Sequence, residues 1–285
     1  MRALAGRPEL CAINTATLGF QTPIEETIDA VAREGFGAIA PWRRELEGKS
    51  AGAVGQRIKD AGLEVTGYCR SSFIPALARS DFDRNVEDNR RALREAAALG
   101  AQSFVMVVGS LPPSSKDLAR ARAQVAEATS LLLEDARELG VRLALEPLHP
   151  IYAADRSCLT LLSEALDLCD KLEPSAETTR WLGVCIDVYH VWWDPNLETK
   201  IARAGRDGRI LGFHVCDWLV PTRDVLTDRG MMGDGIIDVP RIRGWIEDAG
   251  FDGFVEVEIF SAENWWRRPI AETLRVCKER FGSAC

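Results

Sequence analysis

Short apolar, β-branched runs alternate with longer amphipathic segments along the whole 285-residue chain. The short runs predict strands at residues 10–17, 37–41, 64–68, 103–108, 142–146, 182–188, 210–216 and 254–260. The longer segments predict helices at 24–34, 51–61, 83–99, 115–139, 161–171, 197–204, 239–249 and 270–281. Two of these helices run out at glycine, in AALG (97–100) and ARELG (136–140), where a left-handed C-terminal residue stops the helix. Eight strand–helix repeats without a Pro/Gly/Ser-rich linker predict one α/β domain over residues 1–285, a closed (β/α)₈ TIM barrel. The rival is an open doubly wound sheet. It would usually carry a glycine-rich nucleotide loop after an early strand, and the sequence has none.

The polar exceptions to this pattern are placed systematically. Glu146 follows LAL, Asp187 follows VCI, His214 follows LGF and Glu258 follows VEV, each at the end of an apolar run. All three histidines of the chain, His149, His190 and His214, close such runs as well. Strand alternation sorts the faces. In the eighth strand Val255, Val257 and Ile259 point to the helices and Glu256 and Glu258 point inward; in the sixth, Val184 and Ile186 face out and Asp187 faces in. Barrel chemistry sits at the C-terminal strand ends, where these residues lie.

Composition narrows the classes. The net charge of −8, with no basic run, argues against nucleic acid as a partner. No apolar stretch reaches the length of a membrane span, and the N-terminus lacks an apolar signal core. The eight cysteines form no CxxC pair, and several sit in apolar runs, as expected for reduced thiols in a cytoplasm.

Three carboxylates and a neutral imidazole meeting at one mouth repel one another or take up protons unless a cation joins them. Oxygen-rich ligation with one nitrogen suits one divalent ion, Mn²⁺ first, with Mg²⁺, Co²⁺ or Zn²⁺ as alternatives. Such an ion acidifies the C–H beside a chelated carbonyl and steadies the enolate formed on deprotonation.

Taken in order, EPLHP at 146–150, DxxH at 187–190, HxxD at 214–217 and VEVEIFS at 255–261 resemble the xylose-isomerase-like sugar phosphate isomerase/epimerase superfamily over essentially the whole chain. The resemblance implies one metal held by Glu146, Asp187, His214 and Glu258. It also implies that His190 hydrogen-bonds a small-molecule sugar near that metal. Two positions depart from the ketohexose epimerases: Tyr152 stands where they carry a second glutamate, and Val220 where they carry an arginine that grips substrate. His149 instead resembles the arrangement in catalytic subunits of C-glycoside deglycosidases, which implies a histidine base and β-elimination from a 3-oxo-glycoside. Isomerisation or epimerisation and elimination share the first step, removal of a proton beside a ketone. Glu146, Glu258 and His149 are the candidates to move that proton.

Several residues keep two readings. Glu256 faces the same way as Glu258, one layer deeper; Glu258 is the preferred ligand because it lies nearer the strand's C-terminal end. His149, fixed between two prolines, is a catalytic or substrate contact or only shapes the rim. His190 contacts substrate or orients Asp187. Asp217 braces a neighbour, such as an imidazole N–H, rather than binding metal. Trp42 offers an aromatic face to a sugar, the alternative for it and the other tryptophans being packing or an oligomer contact. Arg70, Arg156 and Arg223 offer positive charge to a phosphate or carboxylate, although no phosphate-cradling loop accompanies them. The tryptophans are compatible with a homo-oligomer or a partner subunit. An apurinic-type endonuclease, the remote rival on this fold, needs three zinc ions and more than three histidines; a sugar-binding module has little need for a metal beside candidate bases.

Overall fold

A computed structural model describes residues 1–174 and 179–285. Its strands are β1 (Cys11–Asn14), β2 (Ala38–Ala40), β3 (Glu64–Val65, continuing as Tyr68–Cys69), β4 (Ser103–Met106), β5 (Arg142–Leu145), β6 (Leu182–Asp187), β7 (Ile210–Val215) and β8 (Val255–Val257). The hydrogen-bonded order starts at the first piece of β3 and passes through β2, β1, β8, β7, β6, β5 and β4. It ends at the second piece of β3. One strand therefore both begins and ends the sheet, and eight parallel strands close into the expected (β/α)₈ barrel. The break in β3 marks its change of neighbour: Glu64–Val65 pairs with β2 and Tyr68–Cys69 with β4.

The helices are α1 (Ile24–Arg33), α2 (Ala51–Asp60), α3 (Arg79–Leu99), α4 (Leu118–Leu139), α5 (Leu162–Leu172), α6 (Leu197–Arg206), α7 (Val239–Asp248) and α8 (Ile270–Ala284). Gly100 and Gly140 cap α3 and α4 in the left-handed conformation expected of the two stop signals. The strands are shorter than the apolar runs because the chain leaves the ladder at the barrel mouth. Residues 15–18 thus form a 3₁₀ turn after β1, with the Asn14 side chain accepting the Ala16 N–H at 3.2 Å.

Alternation places the faces as the pattern implies. Val184, Ile186, Val255, Val257 and Ile259 are buried in the large apolar core, while Cys69, Val105, Ala144, Cys185 and Leu211 form a separate, smaller cluster. Each fully buried Val, Ile or Leu contributes about 1.5–3 kcal/mol. α2 lies so close to α3 that a Cβ on Gly55 would stand 2.5 Å from the Leu99 carbonyl oxygen. A cavity of about 320 Å³ reaches in from the N-terminal strand ends beside Gly67 and Gly212, away from the mouth where the carboxylates meet. Among the described residues no helix is long and apolar enough to cross a membrane.

Between β7 and α7 the chain makes a long excursion. Asp217–Trp218 pairs antiparallel with Arg229–Gly230, and this ribbon folds over the mouth. Asp217 holds it in place: its carboxylate accepts the N–H groups of Trp218, Gly233, Gly235 and Ile237 at 2.8–2.9 Å. A Cβ on Gly235 would lie 2.1 Å from the Trp218 carbonyl oxygen, so only glycine fits that approach. Asp217 therefore braces backbone amides rather than an imidazole, because the returning loop brings four of them to its carboxylate.

Candidate metal centre

Four consecutive strands deliver one residue each to the same spot. Glu146 follows β5, Asp187 ends β6, His214 lies in β7 and Glu258 follows β8; all are buried. One ligand atom from each lies within 4.8 Å of the others. The register produces this convergence: Asp187 pairs with His214 across β6–β7, and His214 with Glu256 across β7–β8, which sets Glu258 one pleat nearer the mouth.

Glu256 takes the deeper position and is occupied there. It accepts hydrogen bonds from Asn14 Nδ2 at 2.8 Å and Thr66 Oγ1 at 2.6 Å, and lies 3.2 Å from His214 Nε2. That contact holds the inner nitrogen of His214, Nε2, and leaves Nδ1 facing Glu146, at 3.3 Å, and Glu258, at 3.8 Å. Cys185 Sγ is the other neighbour of Nε2, at 3.2 Å.

The charges are unbalanced. Burial raises the Asp187 carboxyl to about 7, with the charges of Glu258 and Glu146 adding to it against the pull of Arg229. Burial likewise raises Glu146. For Glu258 burial also acts upward, but His214 and Arg229 outweigh it and the carboxyl is lowered. For His214 burial acts downward, but the neighbouring Cys185 and Glu256 outweigh it and push the ring well above its ordinary range. Burial thus works against ionising all three carboxylates together, and a further cation beside them would favour it.

Glu146 Oε1 and His214 Nδ1 mark where a metal cation would fit. Both atoms are buried and stand 3.3 Å apart as an ion pair, and among the described residues neither meets hydrogen-bond geometry with any group. Unpartnered donor atoms of this kind, two oxygen-rich sides and one imidazole nitrogen, fit a divalent ion. Glu146, Asp187, His214 and Glu258 are the residues that would hold it.

Sequence reasoning missed Arg229. The ribbon inserts this arginine into the site, where Nη1 donates to Asp187 Oδ2 at 2.8 Å and Glu258 Oε2 at 3.2 Å. Its guanidinium lies over the rings of Tyr189, at 4.4 Å, and Phe260, at 4.8 Å. The Tyr152 and Tyr189 hydroxyls both donate to the Val225 carbonyl, tying the preceding loop down. With Arg229 present, three carboxylates and a divalent ion sum to neutrality. An arginine does enter from the β7–α7 excursion, but at position 229; Val220 is exposed.

His190 is delivered by the single helical turn Val188–Val191, which the Asp187 side chain caps by accepting the Tyr189 N–H at 2.9 Å. Its Nδ1 accepts the His149 N–H at 3.2 Å, which favours the proton on Nε2, and Nε2 lies 3.4 Å from Arg229 Nη2 and 3.6 Å from Asp187 Oδ2. Burial first, then the charge of Arg229, push its pKa well below the ordinary value and keep it neutral.

A cavity of about 120 Å³ lies against these groups, lined by Glu146, Glu258, His190 and Arg229. Trp42, Tyr152, Leu226 and Phe260 form apolar walls, and Arg70 and Arg156 are part of the lining. Trp42 is fixed by its Nε1–H, which donates to Asn14 Oδ1 at 2.6 Å. Two of the candidate catalytic and substrate-contacting residues are not among the lining residues. Arg223 is 60% exposed and donates to Asp228 from Nε at 3.0 Å. The His149 ring packs against Trp218 and Trp193, with Nδ1 accepting the Ile151 N–H at 3.2 Å.

Among curated proteins none matches the chain. Solved structures do. Protein SMc04130 from Sinorhizobium meliloti 1021 is 50% identical over 98% of this chain and 99% of its own, with a TM-score of 0.93. The IolI protein with a bound zinc atom is 17% identical over 96% of this chain and 98% of its own, with a TM-score of 0.79. The 3-keto-D-glucoside 4-epimerase YcjR from E. coli is 18% identical over 94% and 98%, with a TM-score of 0.73. Residues 28–280 match the family model described as xylose isomerase-like TIM barrel. The chain belongs to that family.

Proposed function

We propose that the protein is a divalent-metal-dependent enzyme of the sugar isomerase/epimerase type that enolises a keto-sugar. The observation that carries this reading is the pair of buried, unpartnered atoms, Glu146 Oε1 and His214 Nδ1, within the four-residue cluster that borders the cavity. The likeness to an epimerase of keto-glucosides and to a zinc-bound barrel supports it at the level of fold. Mn²⁺ is the ion this ligand set suits first. When bound, the cation supplies Lewis-acid polarisation of a substrate carbonyl.

The chain's own residues do the rest. Glu146 and Glu258 both line the cavity, and their environments push their pKa values in opposite directions, as an acid–base pair requires. One carboxylate takes the proton beside the carbonyl, and a carboxyl returns it to the other face or the neighbouring carbon. His190 offers Nε2–H to a substrate oxygen, and Arg229 places positive charge where the enolate oxygen gains negative charge. Trp42, Leu226 and Phe260 exclude water. Elimination from a 3-oxo-glycoside shares the first step and is distinguished by its product.

The test is metal content by mass spectrometry, followed by solvent-deuterium exchange into keto-sugars and 3-oxo-glycosides. The expected result is one ion per chain and metal-dependent exchange at the carbon beside the ketone. A chain that takes up no ion after Mn²⁺ loading overturns the reading.

A further inference from the structure

Arg229 is neutralised by Asp187 and Glu258, but the two other arginines of the cavity are not neutralised in this way. Arg70 follows β3 and Arg156 lies in the excursion after β5, so they approach the mouth from two separate loops. Arg70 makes no ion pair among the described residues; its Nη1 donates to the Ser71 carbonyl at 3.0 Å and its guanidinium stacks over Phe73 at 4.5 Å. Among the described residues the ion pair of Arg156 is with Asp155, at 3.4 Å, a carboxylate that is 72% exposed and therefore screened by water. Burial, and next the positive charge of Arg156, push the Arg70 guanidinium below its ordinary value. Two like charges face one small cavity whose remaining charges, with a divalent ion present, cancel. Their mutual repulsion opposes folding, whereas an anion placed between the two guanidiniums removes it and accepts their forked donors.

We propose that the substrate is an acidic sugar derivative whose carboxylate or phosphate group lies between Arg70 and Arg156 while its carbonyl end meets the metal cluster. The proposal rests on the enolisation reading for the role of that second end. It narrows the substrate from keto-sugars in general to sugar acids or sugar phosphates.

Three six-carbon polyols test it: gluconate as the carboxylate, glucitol 6-phosphate as the phosphate, and uncharged glucitol. Binding of each is measured by calorimetry to metal-free and Mn²⁺-loaded protein, to Arg70→Gln, Arg156→Gln and Arg70→Lys variants, and to Arg223→Gln as the exposed-arginine control. One of the anions is expected to bind about tenfold or more tightly than glucitol, as charge-assisted hydrogen bonds provide. Which anion wins identifies the source of the charge. The preference should fall about tenfold in each Gln variant, fall less in Arg70→Lys, which keeps the charge but loses the fork, and persist in Arg223→Gln. Equal binding of all three polyols, no binding of either anion, or a preference that survives both Gln variants overturns the proposal. Manganese stoichiometry of the same samples separates the two claims. One ion per chain without an anion preference removes only the anion site; an anion preference without a bound ion removes the enolisation reading and leaves the anion site.

Discussion

Two buried charge clusters in this barrel are built to opposite rules. At the N-terminal end of β6, Arg209 donates through Nε to Asp170, through Nη1 to Glu173 and the Leu182 carbonyl, and through Nη2 to the Glu173 carbonyl, all at 2.8–3.2 Å. Glu173 also accepts the N–H groups of Trp181 and Leu182. Among the described residues, no buried side-chain polar atom of either residue lacks a partner. At the C-terminal end of the same strand, Asp187 joins a cluster in which Glu146 Oε1, His214 Nδ1 and Arg229 Nε are buried and unpartnered. Both clusters carry the cost of burying charge, but only the second leaves ligand atoms free. Between these two clusters, satisfaction rather than charge or burial separates the clamp from the candidate site.

The sharpest way to break this contrast is to remove one carboxylate from the open cluster. Glu258→Gln should lose stoichiometric Mn²⁺ and lower turnover by about 10³-fold or more. The metal-free variant should fold with a stability within about 1 kcal/mol of the parent, because the amide oxygen still accepts from Arg229. Metal analysis and urea unfolding check the two halves; retained metal with unchanged turnover would make Glu258 a bystander.

The closed cluster should behave the other way. Arg209→Met leaves the buried Glu173 without its main counter-charge and should cost about 3–5 kcal/mol of stability. Protein that remains folded should still bind one ion per chain. A loss below about 1 kcal/mol in urea unfolding would place this arginine among groups that contribute little.

Metal uptake sharpens the comparison further because it is coupled to protons. In the metal-free fold the Asp187 carboxyl is raised from 3.8 to about 7, so its contribution to folding is present when it is protonated and is lost as the pH rises through about 7. Ligation needs the ionised form. Apparent Mn²⁺ affinity should therefore rise about tenfold per pH unit up to neutrality, with proton release on binding. The thermal stabilisation given by the ion should grow over the same window. Calorimetry in buffers of different ionisation enthalpy reads both; a pH-independent affinity would mean that the cluster is already ionised.

The contrast also explains what the sequence disclosed. The alternation of strands and helices, the inward face of β8 and the four converging residues were legible because each sits in a periodic apolar run, where one polar residue stands out. Arg229 was not legible. It lies in the excursion between β7 and α7, where no periodicity applies, and it acts through a register between two short ribbon strands distant in sequence. The signal available was length: the connection between Val215 and Val239 is far longer than a barrel requires, and long loops at a mouth usually carry function. Arg223 and Arg229 are equally basic in that loop. Only folding turns the first to Asp228 and the second into the site.

His149 is the case where a sequence expectation and the structure part, since its ring does not line the cavity, and its substitution should have a smaller effect than that of Glu258 or Arg209. Its backbone N–H sets the tautomer of His190, while its ring packs on Trp218 and caps the turn at Pro150–Tyr152 through Nδ1. An asparagine keeps the backbone donor and supplies an equally good cap. His149→Asn should therefore retain the metal, lose at most about 1 kcal/mol of stability and lower turnover less than tenfold. A base in the reaction would cost far more, about 10²–10⁴-fold, with the loss steepest where an imidazole titrates. A fall of that size with metal retained would move the proton step from Glu146 and Glu258 to this ring and favour elimination over epimerisation. A small effect leaves the two carboxylates as the proton-transfer pair, with His149 as the brace whose backbone N–H holds Nδ1 of His190.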